Sequence, residues 1–549
     1  MNLDSFLANI YFGSLDLERL YSFKDPEEDE KTRKIINKFI ELNKKYPPAY
    51  LEREGAVPAE LLAELKKIGF FGLNIPEKYG GVGLDLWQYQ RVAEEMASQD
   101  MALSLIALAH LSIGAKGILL FGNEEQKKKY LIPAAAGEMI FSYALTEPKT
   151  GSDAKNIKTA AVLSKDGSHY ILNGQKTYIT NANYAGGLTV FAQMDPENPG
   201  FMGAFIVETD WEGVTIGKDM PKMGLTASST AAIQFKDVRV PKENLLGQPG
   251  DGFKIAMSIL NYGRVGLGAA SAGIMYRSVQ DMVKRASSRT QFGVPIRNFE
   301  LVQEKIVRAK VHSYVTSAMA KFAVGMLMDN PLAAVAVESS HCKLYGTTRG
   351  WDTLYDALQV AGGSGYLATQ PYEKRMRDFR VFTIFEGTTE IHSIYPPLFV
   401  MRSLRKKMQA VCSGKISELA FLLKGMFRRA DWKPRFKHRV MNRAVRLARA
   451  NARRIRWMIH AGLLFYGRKI QDKQFFLRRI TNLSLYLYGI ISVVARVEAA
   501  ERMGRDVSED LTILGYFLEE ARQSKKRDKR FFSSRQEALH KKVFSDVIS

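Results

Sequence analysis

The hydrophobic period of this chain changes twice, and the two changes limit what it can fold into. From Ala59 to Leu73, "AELLAELKKIGFFGL" repeats apolar residues every three or four positions, the mark of an amphipathic helix. The glycines of "EKYGGVGLD" interrupt that pattern, and "LWQYQRVAEEMASQ" and "MALSLIALAHLSIGAKGILLFG" resume it. Near Phe141 the period drops to two. "HYILNGQKTYIT", "LTVFAQM", "GAFIVET", "GVTIGK" and "TAAIQFKDVRVP" are short, β-rich and separated by turn residues, as in an antiparallel barrel or sandwich. After "GQPGDGFKIAMSIL" the helical period returns and lasts to about residue 400. The expectation is a mostly α chain with a central β domain, divided into 1–140, 141–248, 249–400 and a further helical unit at 401–549. A length of 549 residues is too great for one core. A cleft where β and helical units meet is a common place for ligands.

Charge is segregated. Residues 1–400 carry 44 basic and 44 acidic side chains, whereas residues 401–549 carry 35 and 13 and so hold the whole net charge of +22. The chain reads as a neutral body with a cationic helical appendage. Two cysteines, Cys342 and Cys412, exclude a disulfide framework and have no partners for a zinc site, so no metal is expected. The N-terminal stretch "MNLDSFLANIYFGSLDLERL" has neither the basic start of a secretory signal nor the composition of a transit peptide, which favours a cytoplasmic location, peripheral to the inner membrane at most. The apolar run Ile480–Ala495 is shorter than the ~20 residues of a spanning helix and reads as a buried one.

Five stretches carry candidate chemistry. "FSYALTEPKTGSDAKNIKT" sets Thr146, Gly151 and Ser152 among turn formers, where amides and hydroxyls could meet a planar ring or a phosphate; alone, it is equally a turn. "KTYITNA" offers the ring of Tyr178 with Thr180 two residues on, on the same strand face. "SSRTQFGVPIRNFELVQEK" ends a helix with Arg289 and Phe292, a guanidinium for phosphate and a ring for stacking. In "LQVAGGSGY", Gln359 precedes Gly362 and Gly363, which let a backbone or pyrophosphate come close; alone this signal is weak. "FRVFTIFEGTTEIHSIY" places Glu386 between an apolar run and a Gly-Thr-Thr turn. An isolated glutamate there is most often a solvated acid.

Together and in this order the five resemble the acyl-CoA dehydrogenase family of flavoproteins, over about residues 45–400. The resemblance is closest to the very-long-chain branch, which shares stretches like "ILNYGRVGLGAA" and "RNFELVQEK" and has a C-terminal helical extension. It implies a helical N-domain, a β-barrel middle domain and a helical bundle, with FAD as cofactor. Tyr143, Leu145, Thr146, Gly151 and Ser152 match the flavin-contacting loop, Ser152 also lying near the acyl-CoA. Tyr178 and Thr180 match the pair beside the isoalloxazine ring. Arg289, Gln291, Phe292, Gln359, Gly362 and Gly363 match residues that reach FAD across a subunit interface. Thr388 and Glu390 match flavin contacts. Asn261, Tyr262, Gly263 and Arg264 match the helix that meets CoA, and Phe385 and Gly387 flank Glu386, which matches the catalytic base. Some members place the base where this chain has Gly263, so no second carboxylate competes. Ser104 and Leu108 stand where the very-long-chain branch keeps glycines, an argument for a shortened or redirected acyl pocket.

The reaction so implied is α,β-dehydrogenation of a fatty acyl-CoA, long-chain by resemblance. Burial of Glu386 among Phe382, Ile384 and Phe385 is expected to strengthen it as a base. The partners implied are acyl-CoA, an electron-transfer flavoprotein or similar acceptor, and a second copy in a homodimer. For the appendage, Arg435, Arg439, Arg443, Arg446, Arg449 and Arg453 recur at helical spacing with Leu447, Ile455 and Met458 opposite. A solvated basic face and an anionic membrane surface are the main readings. Nucleic acid, which one alkylation-response relative binds through a basic C-terminal domain, ranks below them because the run has no recognition motif and little aromatic interleaving.

Overall fold

The computed structural model describes every residue except 1–4, 27, 196, 429–431 and 549. Its first unit packs the helices Glu30–Lys45, Ala59–Lys67, Leu86–Gln99 and Met101–Ala109 around Phe39, Leu61, Phe70, Phe71 and Met96. A reciprocal cap starts the third of these: Gln88 N–H donates to the Asp85 carboxylate, and Asp85 N–H donates to the Gln88 amide oxygen. Met101–Ala109 then runs into a π-helical turn, His110–Gly114, which abuts the β domain. There a Cβ on Gly114 would lie 2.3 Å from the Phe141 carbonyl oxygen, so only glycine allows this approach. His110 completes the joint. Its Nδ1 accepts from Phe141 N–H (2.9 Å) and its Nε2 donates to the Ala134 carbonyl (3.2 Å). Burial pushes its pKa down to about 4, so the ring stays neutral.

The middle unit is one eight-stranded sheet: β1 Ile140–Ala144, β2 Ala160–Leu163, β3 His169–Thr180, β4 Ala185–Gln193, β5 Met202–Glu208, β6 Val214–Ile216, β7 Thr230–Pro241 and β8 Leu245–Leu246. The order is β6-β7-β3-β2-β4-β5-β8, with β1 beside β4. Most of its ladders are antiparallel, as expected of the middle domain. β1 enters from the helical unit, not from a hairpin, and so lies parallel to β4. No ladder joins β6 to β8 among the described residues. The sheet's buried face gathers Leu172, Leu188, Val190, Phe205, Ile233 and Val240.

Four helices follow: Gly252–Ser288, Glu300–Asp329, Ala336–Ala361 and, after a short helix Pro371–Phe379, Thr389–Val411. The last crosses position 400, so the composition becomes cationic inside a helix. The C-terminal unit consists mainly of Arg439–Tyr466, Gln474–Arg502, Ser508–Asp528 and Arg535–Ile548. Met101–Phe121 and Gln474–Arg502 are apolar and long enough to cross a membrane, but 72% and 83% of their apolar windows are buried inside the fold, which makes them core helices. Two expectations change here. The basic helix begins at Arg439, not before Arg435, because Asn442 folds back to bond the backbone of Phe436 and holds that segment extended. The first residues leave the N-terminal unit: Phe6–Tyr11 joins the C-terminal core, with Leu7 N–H and Ser5 Oγ donating to Glu338 (2.8 and 3.0 Å) and Tyr11 hydrogen-bonded to Ser484.

His110→Leu leaves a buried Phe141 N–H unpaired. It is expected to cost about 1–3 kcal/mol in a urea titration, and an unchanged midpoint would show the joint to be dispensable.

Candidate active site

The site is assembled from the turn that carries Glu386. Helix Pro371–Phe379 is fixed first: Arg377 pairs with Glu52 and Glu373, and the Asp378 carboxylate accepts Leu225 N–H (2.6 Å) from the β domain. Three stacked or tilted rings then lead to the turn, Phe379 to Phe382 at 4.7 Å and Phe382 to Phe385 at 5.3 Å between centroids. Beyond them Glu386 adopts φ +58° and Gly387 φ +99°, and the Thr388 hydroxyl accepts Ile391 N–H to cap helix Thr389–Val411. A left-handed glutamate is disfavoured by its own Cβ, so the surroundings must hold it.

They hold it by its carbonyls. The Glu386 carbonyl oxygen accepts from His392 Nε2 (3.0 Å) and Arg264 Nε (3.2 Å), and that of Gly387 accepts from Lys343 Nζ (2.6 Å). Glu386 Oε2 is buried with no hydrogen-bond partner. Burial pushes the carboxyl up to about 7, against the pull of the Arg264 and Lys343 charges. Burial likewise pulls the Lys343 ammonium down to about 7, although Glu386 opposes this. A Cβ on Gly263 would lie 3.2 Å from Glu386 Oε2, so the two positions address one point, one from a helix and one from a turn.

The expected site residues divide into groups. Tyr143 stands close enough to Glu386 and Arg264 to feel both charges; burial first, then Glu386, drives its phenol pKa upward. Leu145 and Thr146 open the 145–152 loop, with Thr177 N–H donating to the Thr146 carbonyl (2.9 Å). Gly151 and Ser152 are exposed, and a Cβ on Gly151 would meet nothing within 4 Å. Tyr178 takes φ +57° where the β3–β7 register shifts and leaves 67% of its surface exposed; Thr180 is half-buried beyond the buried Ile179. Phe385, Gly387 and Thr388 are half-buried around Glu386, while Glu390 is exposed. Asn261 accepts a hydrogen bond from Ser339 (2.8 Å). One placement is corrected. Ile384 is 49% exposed and does not help bury Glu386, because the tight turn swings it outward. Tyr262 is buried, its hydroxyl donating to the Pro331 carbonyl (2.8 Å) and its ring under Lys116.

The remaining residues lie at the far end of the bundle. Thr290–Gln291 and Val294–Pro295 form a hairpin whose turn places Phe292 at φ +52° and Gly293 at φ +80°, with Phe292 93% exposed. Arg289 and Gln291 are exposed beside it, and Gln359, Gly362 and Gly363 form an exposed turn nearby, tied to the hairpin's helix by Arg285 donating to the Ala361 carbonyl (3.2 Å). Gly263 and the end of its helix are about 25 residues apart, roughly 38 Å of helix. This hairpin therefore does not meet the Glu386 of its own chain.

Three buried polar groupings at the site were not legible as motifs: Lys343, the His392–Ser340 pair, and the ion pair Lys176–Glu147 beneath the 145–152 loop. Lys176 Nζ donates to Glu147 (2.8 Å) and to the Leu145 carbonyl (3.1 Å), while Glu147 accepts the N–H groups of Lys158 and Thr159 (2.6 and 2.9 Å). Burial raises the Glu147 pKa, but Lys176 and these donors outweigh it and hold the carboxyl below its usual range. Their only sequence signal is a Lys and a Glu inside otherwise apolar or turn-forming stretches. The loop's open glycine, the exposed Tyr178 face and the unpaired Glu386 oxygen fit a flat heteroaromatic cofactor lying over a reacting substrate. Lys176→Met strands the Glu147 carboxylate and is expected to lower stability by about 3–5 kcal/mol in denaturant unfolding; Lys176→Met with Glu147→Gln should recover a large part.

Family models match this chain in order: the acyl-CoA dehydrogenase N-terminal domain at residues 26–138, the middle domain at 142–238, the C-terminal domain at 250–394, and the ACAD9/ACADV C-terminal domain at 440–547. The human mitochondrial very long-chain specific acyl-CoA dehydrogenase is 34% identical over 528 residues, which is 92% of this chain and 80% of that protein. The crystal structure of an acyl-CoA dehydrogenase from Bacillus anthracis, complexed with FAD, superposes with a TM-score of 0.82 at 30% identity, covering 95% of this chain and 91% of that one. Butyryl-CoA dehydrogenase from Megasphaera elsdenii is 33% identical with a TM-score of 0.65 and is covered completely by 69% of this chain. The chain belongs to the acyl-CoA dehydrogenase family of oxidoreductases and adds to its three domains the C-terminal domain of the ACAD9/ACADV kind.

Proposed function

We propose that the chain dehydrogenates a fatty acyl-CoA to its trans-2-enoyl-CoA with FAD, acts on long-chain substrates, and passes electrons to a separate acceptor of the electron-transfer-flavoprotein kind. The carrying observation is Glu386: a carboxylate oxygen buried without a hydrogen-bond partner, with its pKa raised to about 7. The α-proton of a thioester is far less acidic than a carboxylic acid, so the base must be strong and the developing enolate stabilised. Glu386 accepts that proton at Oε2. Its own N–H donates to no group among the described residues and is available to the thioester oxygen; such a donor supplies ~3–4 kcal/mol. Tyr178, Thr180 and the 145–152 loop would hold the flavin, whose chemistry when bound is acceptance of the β-hydride. The FAD in the Bacillus anthracis relative supports this assignment.

The distant hairpin supports a homodimer. Phe292 is left-handed and 93% exposed, and it stands too far along its helix to meet its own chain's site, which suits a contact with a second copy's cofactor.

The C-terminal unit supports work at an anionic membrane surface. Arg439, Arg443, Arg446 and Arg453 are exposed along one face of helix Arg439–Tyr466 and have no carboxylate partner among the described residues. The face runs into a groove of about 640 Å³ lined by Arg453, Arg454, Trp457, Lys525, Lys529 and Arg530. Helix Arg535–Ile548 buries none of its residues and exposes Leu539, Val543, Phe544 and Val547. Cations beside an uncovered apolar stripe complement anionic headgroups over acyl chains, each cation adding about 1 kcal/mol.

Two experiments test these readings. Anaerobic bleaching of the flavin by an acyl-CoA ladder should peak at long chains. Glu386→Gln should keep FAD and lose about 10²–10⁴-fold in rate, and near-normal turnover in that variant would remove Glu386 from the mechanism. Since the carboxylate is the active form, kcat/KM of the wild type should fall as pH drops through about 7. At physiological salt, the protein should float with phosphatidylglycerol vesicles and not with phosphatidylcholine, and Arg453→Glu with Lys529→Glu should weaken flotation. A duplex-DNA shift without flotation would point to nucleic acid instead.

A further inference from the structure

The turn at Glu386 depends on a histidine that the chemistry above does not use. His392 lies in the first turns of helix Thr389–Val411, fully buried, its own N–H donating to the Thr388 carbonyl (3.0 Å). Its Nε2 reaches back six residues to the Glu386 carbonyl oxygen. A carbonyl only accepts, so Nε2 carries the proton and Nδ1 is left as an acceptor. Ser340, fully buried on helix Ala336–Ala361, donates its hydroxyl to that Nδ1 at 2.7 Å. Both ring nitrogens are thus paired, and ring plane and tautomer are fixed together.

We propose that His392, oriented by Ser340, is a positioning residue for the base: it holds the Glu386–Gly387 peptide in the left-handed turn that aims the carboxylate. The inference rests on the reading of Glu386 as the base. Non-glycine residues keep φ near +58° only where the surroundings over-determine it. The Glu386 carbonyl has two donors, and removal of His392 leaves Arg264 alone on it. The imidazole also lies against the turn itself, since a Cβ on Gly387 would meet His392 Nε2 at 2.8 Å. Arg264 from helix Gly252–Ser288, Lys343 and His341 from Ala336–Ala361, and the Glu386 carboxylate are the titratable and charged groups around the ring. Tyr143 from β1 faces Glu386 and Arg264, and Tyr395 from His392's own helix faces Arg264 and Arg402. Burial and the two cations keep the imidazole neutral, so it donates to the turn across the working pH range.

The test uses the full-length, FAD-loaded protein and compares His392→Leu, His392→Gln and Ser340→Ala. The measurements are kcat and KM separately, the pH profile, and α-deuterium incorporation from D₂O, which reads the base without the redox step. Leucine keeps bulk but no donor, whereas glutamine can still donate to the carbonyl. His392→Leu should retain flavin and lose about 10- to 100-fold in both kcat and exchange with KM little changed. Its acid limb should move to lower pH as water reaches the loosened carboxylate. His392→Gln should recover most of the loss, and Ser340→Ala should fall between. Exchange in His392→Leu within about twofold of wild type with an unmoved acid limb would overturn the proposal. Equal losses in the leucine and glutamine variants would also overturn it, since packing alone explains them. Should His392→Leu fail to fold, a wild-type exchange rate and pH profile in Ser340→Ala overturns it. Normal turnover in Glu386→Gln is a different result and sinks the base assignment itself.

Discussion

Two cations stand beside Glu386, and neither hydrogen-bonds its carboxylate. Arg264 and Lys343 direct their donors to the carbonyls of Glu386 and Gly387. The arrangement separates two roles that a direct salt bridge would merge. Through space the charges offset part of the desolvation penalty, so the acid titrates near neutral pH and not far above it. Through hydrogen bonds they fix the backbone that carries the acid, while Oε2 keeps its lone pairs for a proton. A bidentate arginine on the carboxylate would hold it well below the usual range and leave a poor base.

The surrounding architecture converges on that turn. The β domain grips its leading helix through Asp378 and Leu225, and the bundle brings Gly263 close enough for the carboxylate to lie against a bare backbone. The C-terminal unit takes part as well. Thr481 on helix Gln474–Arg502 donates to the Ser393 carbonyl at 2.7 Å, one residue beyond His392. The extension therefore backs the helix that carries the turn as well as presenting a basic face.

Periodicity and punctuation made the succession of helical, β and helical units legible, and "FEGTTE" within its constellation singled out Glu386. What escaped had a physical reason in each case. Left-handed conformations arise at a strand-register shift for Tyr178, in a hairpin turn for Phe292 and from tertiary bonding for Glu386, and leave no mark on residue type. Lys343 and His392 read as ordinary polar residues, because their value lies in carbonyls distant in sequence. Arg435 has the right spacing for the basic helix, yet Asn442 binds the preceding backbone and delays its start.

The contact between Tyr11 and Ser484 spans 473 positions. Residues 5–20 thus emerge from the ribosome long before the surface they cover has been made. Until the final helices are synthesised, Phe6, Leu7, Ile10 and Leu20 have no permanent home, and so distant a closure is slow. This part of the core closes only once helix Gln474–Arg502 has been made, when it and Phe6–Tyr11 cover each other's apolar faces.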